Sequence, residues 1–344
     1  MSNTIQKLLQ EYYAQVFPAK SGLQVKEFAN ITDGWESEIY SFVAEYGPKT
    51  ERLREDLILR LYFGENAHTK AAHEFRSMSR LRRAGYPVPQ VFLLEREHSP
   101  FGKPFIIMEK INGRVMWPLL TLAPPEEQHR LLTLFCTLFV QLHSLDWRFF
   151  VDSTDRYSDP YLFVDQWLET ARRSLESFPQ VGLLPIVEWL QDRRDELFCQ
   201  RPSPVHQDYH PNNVLVRDDG AAVVIDWTGF DVSDARFDLG WTLVLAHAYA
   251  GTQIRTSILT EYERLSGTVV KDKDIECFEV FACARRLFDV AVSVSAGAEK
   301  LGMRRETVNI MKQHREAHQR VYDVLRERTG MRVTPIEQLF ASLA

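Results

Sequence analysis

Between about Gly22 and Ile111 the apolar positions fall in short β-branched or aromatic runs: LQVKEF, EIYSFVAEY, LILRLYF, VPQVFLL and PFIIMEKI. Glycine, proline and charged residues separate them, a pattern that predicts strands. One helix interrupts the series, from about Asn66 to Arg83, ending at Gly85 with Pro87 just beyond. After Gly113 the periodicity turns helical. Pro124 and Pro125 open a helix whose first turn carries Glu126 and Glu127, and Leu131, Leu134, Phe135, Leu138, Leu142 and Leu145 make one apolar stripe along it. Further helices are expected at 160–178, 184–198, 236–250, 253–265, 272–297 and 304–328, interrupted only by a small β element around 213–226. A strand-rich first part (1–110) followed by a helical remainder (111–344) predicts an α+β protein of two lobes with a cleft between them.

With 344 residues, 45% hydrophobic and 26% charged, the chain is long enough to bury a substantial core. A formal charge of −6 and the absence of a basic stripe argue against nucleic acid as a partner. The densest basic stretch, Arg304 to Arg320, interleaves Glu306 and Glu316 and reads as a solvated helix face. Cys136, Cys199, Cys277 and Cys283 show no paired spacing and are expected as reduced thiols. The start, MSNTIQKLLQEYYAQVF, has apolar residues at helical spacing and no continuous apolar stretch like a signal peptide's core. The longest apolar stretch, Leu131 to Val140, is too short to cross a bilayer, so a soluble cytoplasmic protein without a membrane partner is expected.

The most informative stretch is VHQDYHPNNVLVRDDGAAVVIDW, residues 205–227. Two apolar runs flank Asp219-Gly220, a strong hairpin signal, and a two-residue turn there would set Asn213 directly opposite Asp226. One amide and one carboxylate oxygen suit Mg²⁺, which takes its other ligands from water and phosphates. Asp208, on the loop entering the hairpin, is then placed to orient an attacking hydroxyl and accept its proton.

The run His206, Asp208, His210, Pro211, Asn213, then Ile225-Asp226-Trp227 and Asp238-Leu239, resembles the aminoglycoside phosphotransferase and choline kinase family over roughly residues 20–250. The resemblance implies a protein-kinase-like fold, with an antiparallel β-sheet and one helix in the N-terminal lobe and a mainly α-helical C-terminal lobe. It implies a small-molecule kinase moving the γ-phosphate of ATP or GTP to a substrate hydroxyl. Asp208 would be the catalytic base, Asn213 and Asp226 the Mg²⁺ ligands, and Asp238 the brace of the catalytic loop, although Asp238 also suits a helix cap. His206 and His210 read as loop-packing residues, His206 fixing the backbone near the site.

In the first part, Arg60 is a lone cation inside LILRLYF and needs a partner; Glu74, on the same helical stripe as Met78 and Leu81, is the natural one, with Lys70 the lesser alternative to Arg60. A strand cation held by a helix carboxylate and reaching a triphosphate is a kinase arrangement, and a structural ion pair is the other reading. PFIIMEKINGR resembles the family's linker, placing Glu109 and Ile111 beside the nucleotide base, though an edge strand explains its pattern equally. The expected phosphate-covering turn, ITDGWESEIY, has Gly34 alone as its glycine.

No GxxxxGK[ST] loop is present, which excludes a P-loop NTPase. Eleven residues separate Asp226 from Asp238, too few for a long activation segment, so a small acceptor is favoured over a protein. Two other functions fit parts of the pattern: a nucleotide-binding protein of this fold without turnover, and a metal-dependent hydrolase using the HxDxH string. Candidate acceptor-pocket residues Asp165, Glu169, Arg285, Arg286 and Asp289 are too mixed in charge to select a polycation, while Trp167 and Trp241, which could stack on a sugar or cation, read as core because they lie on helices.

Overall fold

The computed structural model describes residues 2–31 and 37–343; Gly34 lies outside them. In chain order the elements are α1 (Ser2–Val16), β1 (Gln24–Ile31), β2 (Ser37–Tyr46), β3 (Leu53–Tyr62), α2 (Ala67–Arg83), β4 (Val91–Glu95), β5 (Phe105–Glu109), β6 (Arg114–Val115), α3 (Met116–Leu122), α4 (Pro125–Ser144), α5 (Leu162–Ser177), α6 (Leu184–Gln191), β7 (Ser203–Val205), β8 (Val214–Val216), β9 (Ala222–Val224), β10 (Asp231–Ser233), α7 (Ala235–Ala250), α8 (Thr252–Ser266), α9 (Asp272–Ala296), α10 (Thr307–Gln313), α11 (Arg315–Thr329) and α12 (Thr334–Ser342). They form two compact units, one of residues 1–114, 215–228 and 302–304, the other of residues 115–214, 229–301 and 305–344.

The first unit is built on an antiparallel five-stranded sheet in the order β1-β2-β3-β5-β4. Because side chains alternate along a strand, Leu57, Leu59 and Leu61 of β3 share one face. There they join Phe42, Phe105, Ile107 and the α1 residues Leu9 and Tyr13 in one buried cluster. The intervening Arg60 and Tyr62 point to the other face, where α2 packs and both bond to Glu74. β3 starts four residues before the apolar run that predicts it. Its charged extension pairs with β2, Asp56 with Val43 and Arg54 with Glu45, and sits closer to solvent.

The second unit is helical, with α7 and α9 at its centre and α8 and α11 packed on α7 and α9 respectively. α7 is buried nearly all round. Its closest approach to α9 is at Gly240, where an added Cβ would lie 2.6 Å from the Phe278 carbonyl oxygen, inside any real contact distance. Only glycine lets the two backbones meet there.

Two helical expectations change. α6 ends at Gln191 rather than 198, because the next residues turn to let Arg194 make a two-pronged pair with Asp165 of α5, both bonds 2.6 Å. The single helix expected over 304–328 is two, α10 and α11, parted at His314, whose ring meets Tyr249 with centroids 5.4 Å apart. α3 and α12 have no counterpart in the sequence reading. Cys136, Cys277 and Cys283 are buried, and burial pushes all four free thiols up from the ordinary thiol pKa, Cys277 to about 11. Among the described residues no helix is long and apolar enough to cross a membrane.

Candidate active site

In the second unit, the loop carrying Asp208 is held from α7. Asp234 caps that helix, accepting from the Arg236 N–H at 2.9 Å, so Asp238, one turn inside it, is not the cap. Instead its carboxylate, 1% exposed, accepts the main-chain N–H of His206 at 2.6 Å and of Gln207 at 2.8 Å. His143, near the end of α4, supports it: one ring nitrogen lies 3.3 Å from the Asp238 carboxylate, the other 2.9 Å from the Tyr262 hydroxyl. The two anchored N–H groups belong to a bent piece of chain. Gln207 has φ 64, a left-handed conformation that costs a residue with a Cβ on the order of 1 kcal/mol. Its carbonyl is fixed as well, accepting from Arg285 of α9 at 2.7 Å. Gly229 runs 3.1 Å from the His206 carbonyl, measured from where its Cβ would stand, leaving little space for a larger residue behind the loop.

The Asp208 carboxylate sits at the end of this bend. Trp241 donates its indole N–H to Oδ1 at 2.8 Å. Oδ2 faces His210 and Asn213 at longer range, 3.4 and 3.5 Å. The Asp208 N–H points to His206 Nδ1 at 3.3 Å, so that ring is engaged in the loop's own backbone. Burial by itself would raise the Asp208 pKa, but the facing His210 imidazole, followed by Arg285 and His206, outweighs it and holds the group well below the ordinary carboxylate range. With 41% of the side chain exposed, solvent moderates that field; the carboxylate is ionised at neutral pH in either case.

Asn213 closes the loop in a single 3₁₀ turn, Pro211–Asn213. Its Nδ2 donates to the Asp208 carbonyl at 3.0 Å, which fixes the amide and leaves Oδ1 as its acceptor atom. The expected two-residue turn of the hairpin is corrected here. Arg217 donates to the Ala221 carbonyl at 2.8 Å, and Gly220, at φ 83, ends a three-residue loop of Asp218, Asp219 and Gly220. The pairing is thereby displaced by one position, and the direct pairing of Asn213 with Asp226 is not part of this ladder.

In the first unit, β9 hands the chain to Asp226, which has φ 65. The turn is anchored on both sides. Val224 donates to the Pro87 carbonyl at 3.0 Å, and the fully buried Trp227 donates to the Val224 carbonyl at 2.9 Å while packing edge-on to Tyr86. Asp226 then meets Arg60. The guanidinium bonds Glu74 Oε1 and Asp226 Oδ1, both at 2.9 Å, and the Tyr62 hydroxyl donates to Glu74. Arg60 and Glu74 are 7% and 1% exposed, Asp226 40%. Burial opposes charge on both buried members and pushes Glu74 up from its ordinary value, against the pull of Arg60. The guanidinium stays charged because Asp226 and Glu74 together outweigh its own burial. Glu109 accepts from the Gln90 N–H at 3.1 Å and from Arg217 at 3.0 Å, and its own N–H bonds the Gln90 carbonyl at 2.7 Å. Ile111 follows two residues on, buried, in chain without regular structure.

The structure therefore groups Arg60, Glu74 and Asp226 in one unit and Asp208, Asn213, His206 and Asp238 in the other. Of the candidate acceptor residues, Asp165 is taken by Arg194, Glu169 pairs with Arg173 at 2.8 Å on the surface, and Trp167 packs edge-on to Phe281. Trp241 is buried, as its place on a helix predicts, and the Arg285 guanidinium lies over its ring. It is 4% exposed, yet its polar edge serves Asp208. The available signal was spacing: Asp238 and Trp241, three apart on a helix, share the face turned to residues 206–208. The HxDxH string does not form a zinc set, and no group of three His, Cys, Asp or Glu side chains suited to a metal occurs among the described residues.

The sequence profile of the phosphotransferase enzyme family matches residues 27–274. The chain belongs to that family. Among solved structures, this phosphotransferase-family chain is similar to APH(2″)-IIia in complex with GDP and kanamycin, at 13% identity and TM-score 0.59 over 93% of this chain and 98% of that one. It is likewise similar to aminoglycoside phosphotransferase APH(4)-Ia in ternary complex with ADP and hygromycin B, at 16% identity and TM-score 0.53 over 94% and 99%. These likenesses show the kinase-like fold. Acyl-CoA dehydrogenase family member 10 of Mus musculus is 26% identical over 175 residues, 49% of this chain and 16% of the mouse protein, so the chain spans a small part of that relative's length.

Proposed function

We propose that this phosphotransferase-family protein is a magnesium-dependent small-molecule kinase that moves the γ-phosphate of ATP or GTP to a substrate hydroxyl. The observation that carries the reading is the Asp208 carboxylate, ionised, held at one oxygen by Trp241, on a loop whose two preceding N–H groups are clamped by Asp238. Such a group can orient an acceptor hydroxyl and take its proton as the phosphoryl group transfers.

The donor set fits Mg²⁺. Asn213 presents an amide oxygen whose orientation is fixed by the bond from its nitrogen to the Asp208 carbonyl, and Asp226 presents a carboxylate with 40% of the side chain exposed. Both are hard oxygen ligands of the kind Mg²⁺ takes alongside phosphate oxygens. When bound, the ion neutralises phosphate charge as the leaving group departs. Arg60, held by Glu74, supplies a fixed cation for the nucleotide phosphates; Glu109 and Ile111 border the base, and Gly34 belongs to the segment expected to cover the phosphates. Arg285 lies near enough to Asp208 to stabilise its ionised form, so the charges at this site offset one another and leave aminoglycoside, choline-like, sugar and amino-alcohol acceptors open.

A panel of sugars, amino alcohols, hydroxy acids, choline and aminoglycosides, assayed for nucleotide consumption with Mg²⁺ and either ATP or GTP, tests this. One acceptor class is expected to give turnover that EDTA abolishes. Nucleotide binding without transfer to any acceptor would instead favour the non-catalytic reading.

A further inference from the structure

We infer that Trp241 is a positioning residue for the phosphotransfer, selecting Oδ2 of Asp208 as the oxygen that meets the acceptor hydroxyl. The inference rests on the reading of Asp208 as the proton acceptor and goes beyond it, because it assigns roles to the two oxygens of one carboxylate and to a helix residue outside the loop.

A carboxylate on a bent loop can rotate about its Cα–Cβ and Cβ–Cγ bonds, presenting either oxygen or neither. Here the rotation is removed from one side. The Trp241 N–H, a donor with no acceptor capacity, ends 2.8 Å from Oδ1, a normal charge-assisted length. Oδ2 is met by His210 in an ion pair and by the Asn213 amide at 3.4 and 3.5 Å, longer and weaker contacts than the one at Oδ1, so a carboxylate oxygen with further lone-pair capacity remains there for a hydroxyl. The indole itself is immobilised. It is 4% exposed, and the Arg285 guanidinium lies over its ring, 4.2 Å from the centroid, while the same arginine donates to the Gln207 carbonyl. Trp241 and Asp238 leave one face of α7 and engage successive residues of the loop: Asp238 the N–H groups of His206 and Gln207, Trp241 the side chain of Asp208. One helix thus sets both the path of the backbone and the plane of the reacting carboxylate.

The full-length protein is assayed with its acceptor from the panel. Trp241→Phe keeps a ring beneath Arg285 and deletes the N–H. We expect kcat to fall by about tenfold to a hundredfold, the loss of one hydrogen bond to a charged group, with KM for nucleotide and acceptor nearly unchanged. In an Asp208→Asn background the same change should cost little more, since no proton-accepting carboxylate remains to be aimed. Replacing Trp241 with benzothienylalanine, which keeps the bicyclic shape and lacks the N–H, should reproduce the kcat loss at an unchanged melting temperature. An unchanged kcat with benzothienylalanine, or an equal fractional loss from Trp241→Phe in both backgrounds, would overturn the assignment and leave Trp241 a packing residue. Full activity in Asp208→Asn alone would instead overturn the underlying reading of Asp208, whatever Trp241 does.

Discussion

Asp208→Asn is expected to lower kcat by about two to four orders of magnitude, the usual worth of a positioned general base. The substitution is close to isosteric. Its carbonyl oxygen can still accept from the Trp241 indole, so the loop should keep its course and the protein its melting temperature. What disappears is the ability of the second atom to take a proton, because an amide nitrogen donates. KM for the nucleotide should stay within about threefold, as the loss falls on the transition state rather than on binding. Steady-state kinetics with the acceptor found in the panel measure both quantities. A variant with wild-type kcat would remove Asp208 from the chemistry.

The second large effect is expected on stability. Asp238→Ala deletes a carboxylate that is 1% exposed and accepts the His206 and Gln207 N–H groups at 2.6 and 2.8 Å. Leaving one buried and one part-buried donor unmatched costs on the order of 3 kcal/mol. The strained Gln207 backbone at φ 64 would also lose what holds it, so activity should fall further than stability alone explains. Asp238→Asn is expected to be milder in stability, retaining one acceptor oxygen, yet still impaired, because its NH₂ would face an N–H. Denaturant unfolding of the two variants beside wild type checks the order. Near-wild-type stability for Asp238→Ala would mean that water or a neighbour can replace the carboxylate.

Much of the fold was legible because it rests on local signals. The strands of the first unit follow β-branched and aromatic runs, and α2 follows a stripe that ends in glycine and proline. What the sequence hides is decided by single residues or by distant contacts. Asp219-Gly220 marks a turn correctly, but a glycine at positive φ serves a three-residue loop as well as a two-residue one, and the choice between them displaces the whole ladder. Nothing local breaks a helix at His314; the parting there coincides with its contact to Tyr249, from a helix more than fifty positions earlier.

The candidate site divides in the same way. Arg60 and Glu74 were readable as partners because a charge on a core strand demands one. That Arg60 also binds Asp226 was not, since the two residues are 166 positions apart in the chain. Trp241 is core, as an indole on a helix predicts; its further contact, the N–H turned to Asp208, was not legible, because the direction of one N–H has no mark in the sequence. The strained residues Gln207 and Asp226 were beyond composition altogether, because left-handed backbone at a residue other than glycine has no dependable sequence mark.

Asn213 and Asp226 are proposed here as oxygen ligands of a divalent ion that travels with the nucleotide. The most direct measurement is Mn²⁺ binding, followed by the electron paramagnetic resonance of the free ion, in the presence of a nonhydrolysable ATP or GTP analogue. Asn213→Ala and Asp226→Asn are each predicted to weaken nucleotide-dependent Mn²⁺ binding by about tenfold or more, with the Asp208→Asn protein binding as wild type does. Mn²⁺ affinity unchanged in both ligand variants would contradict the claim.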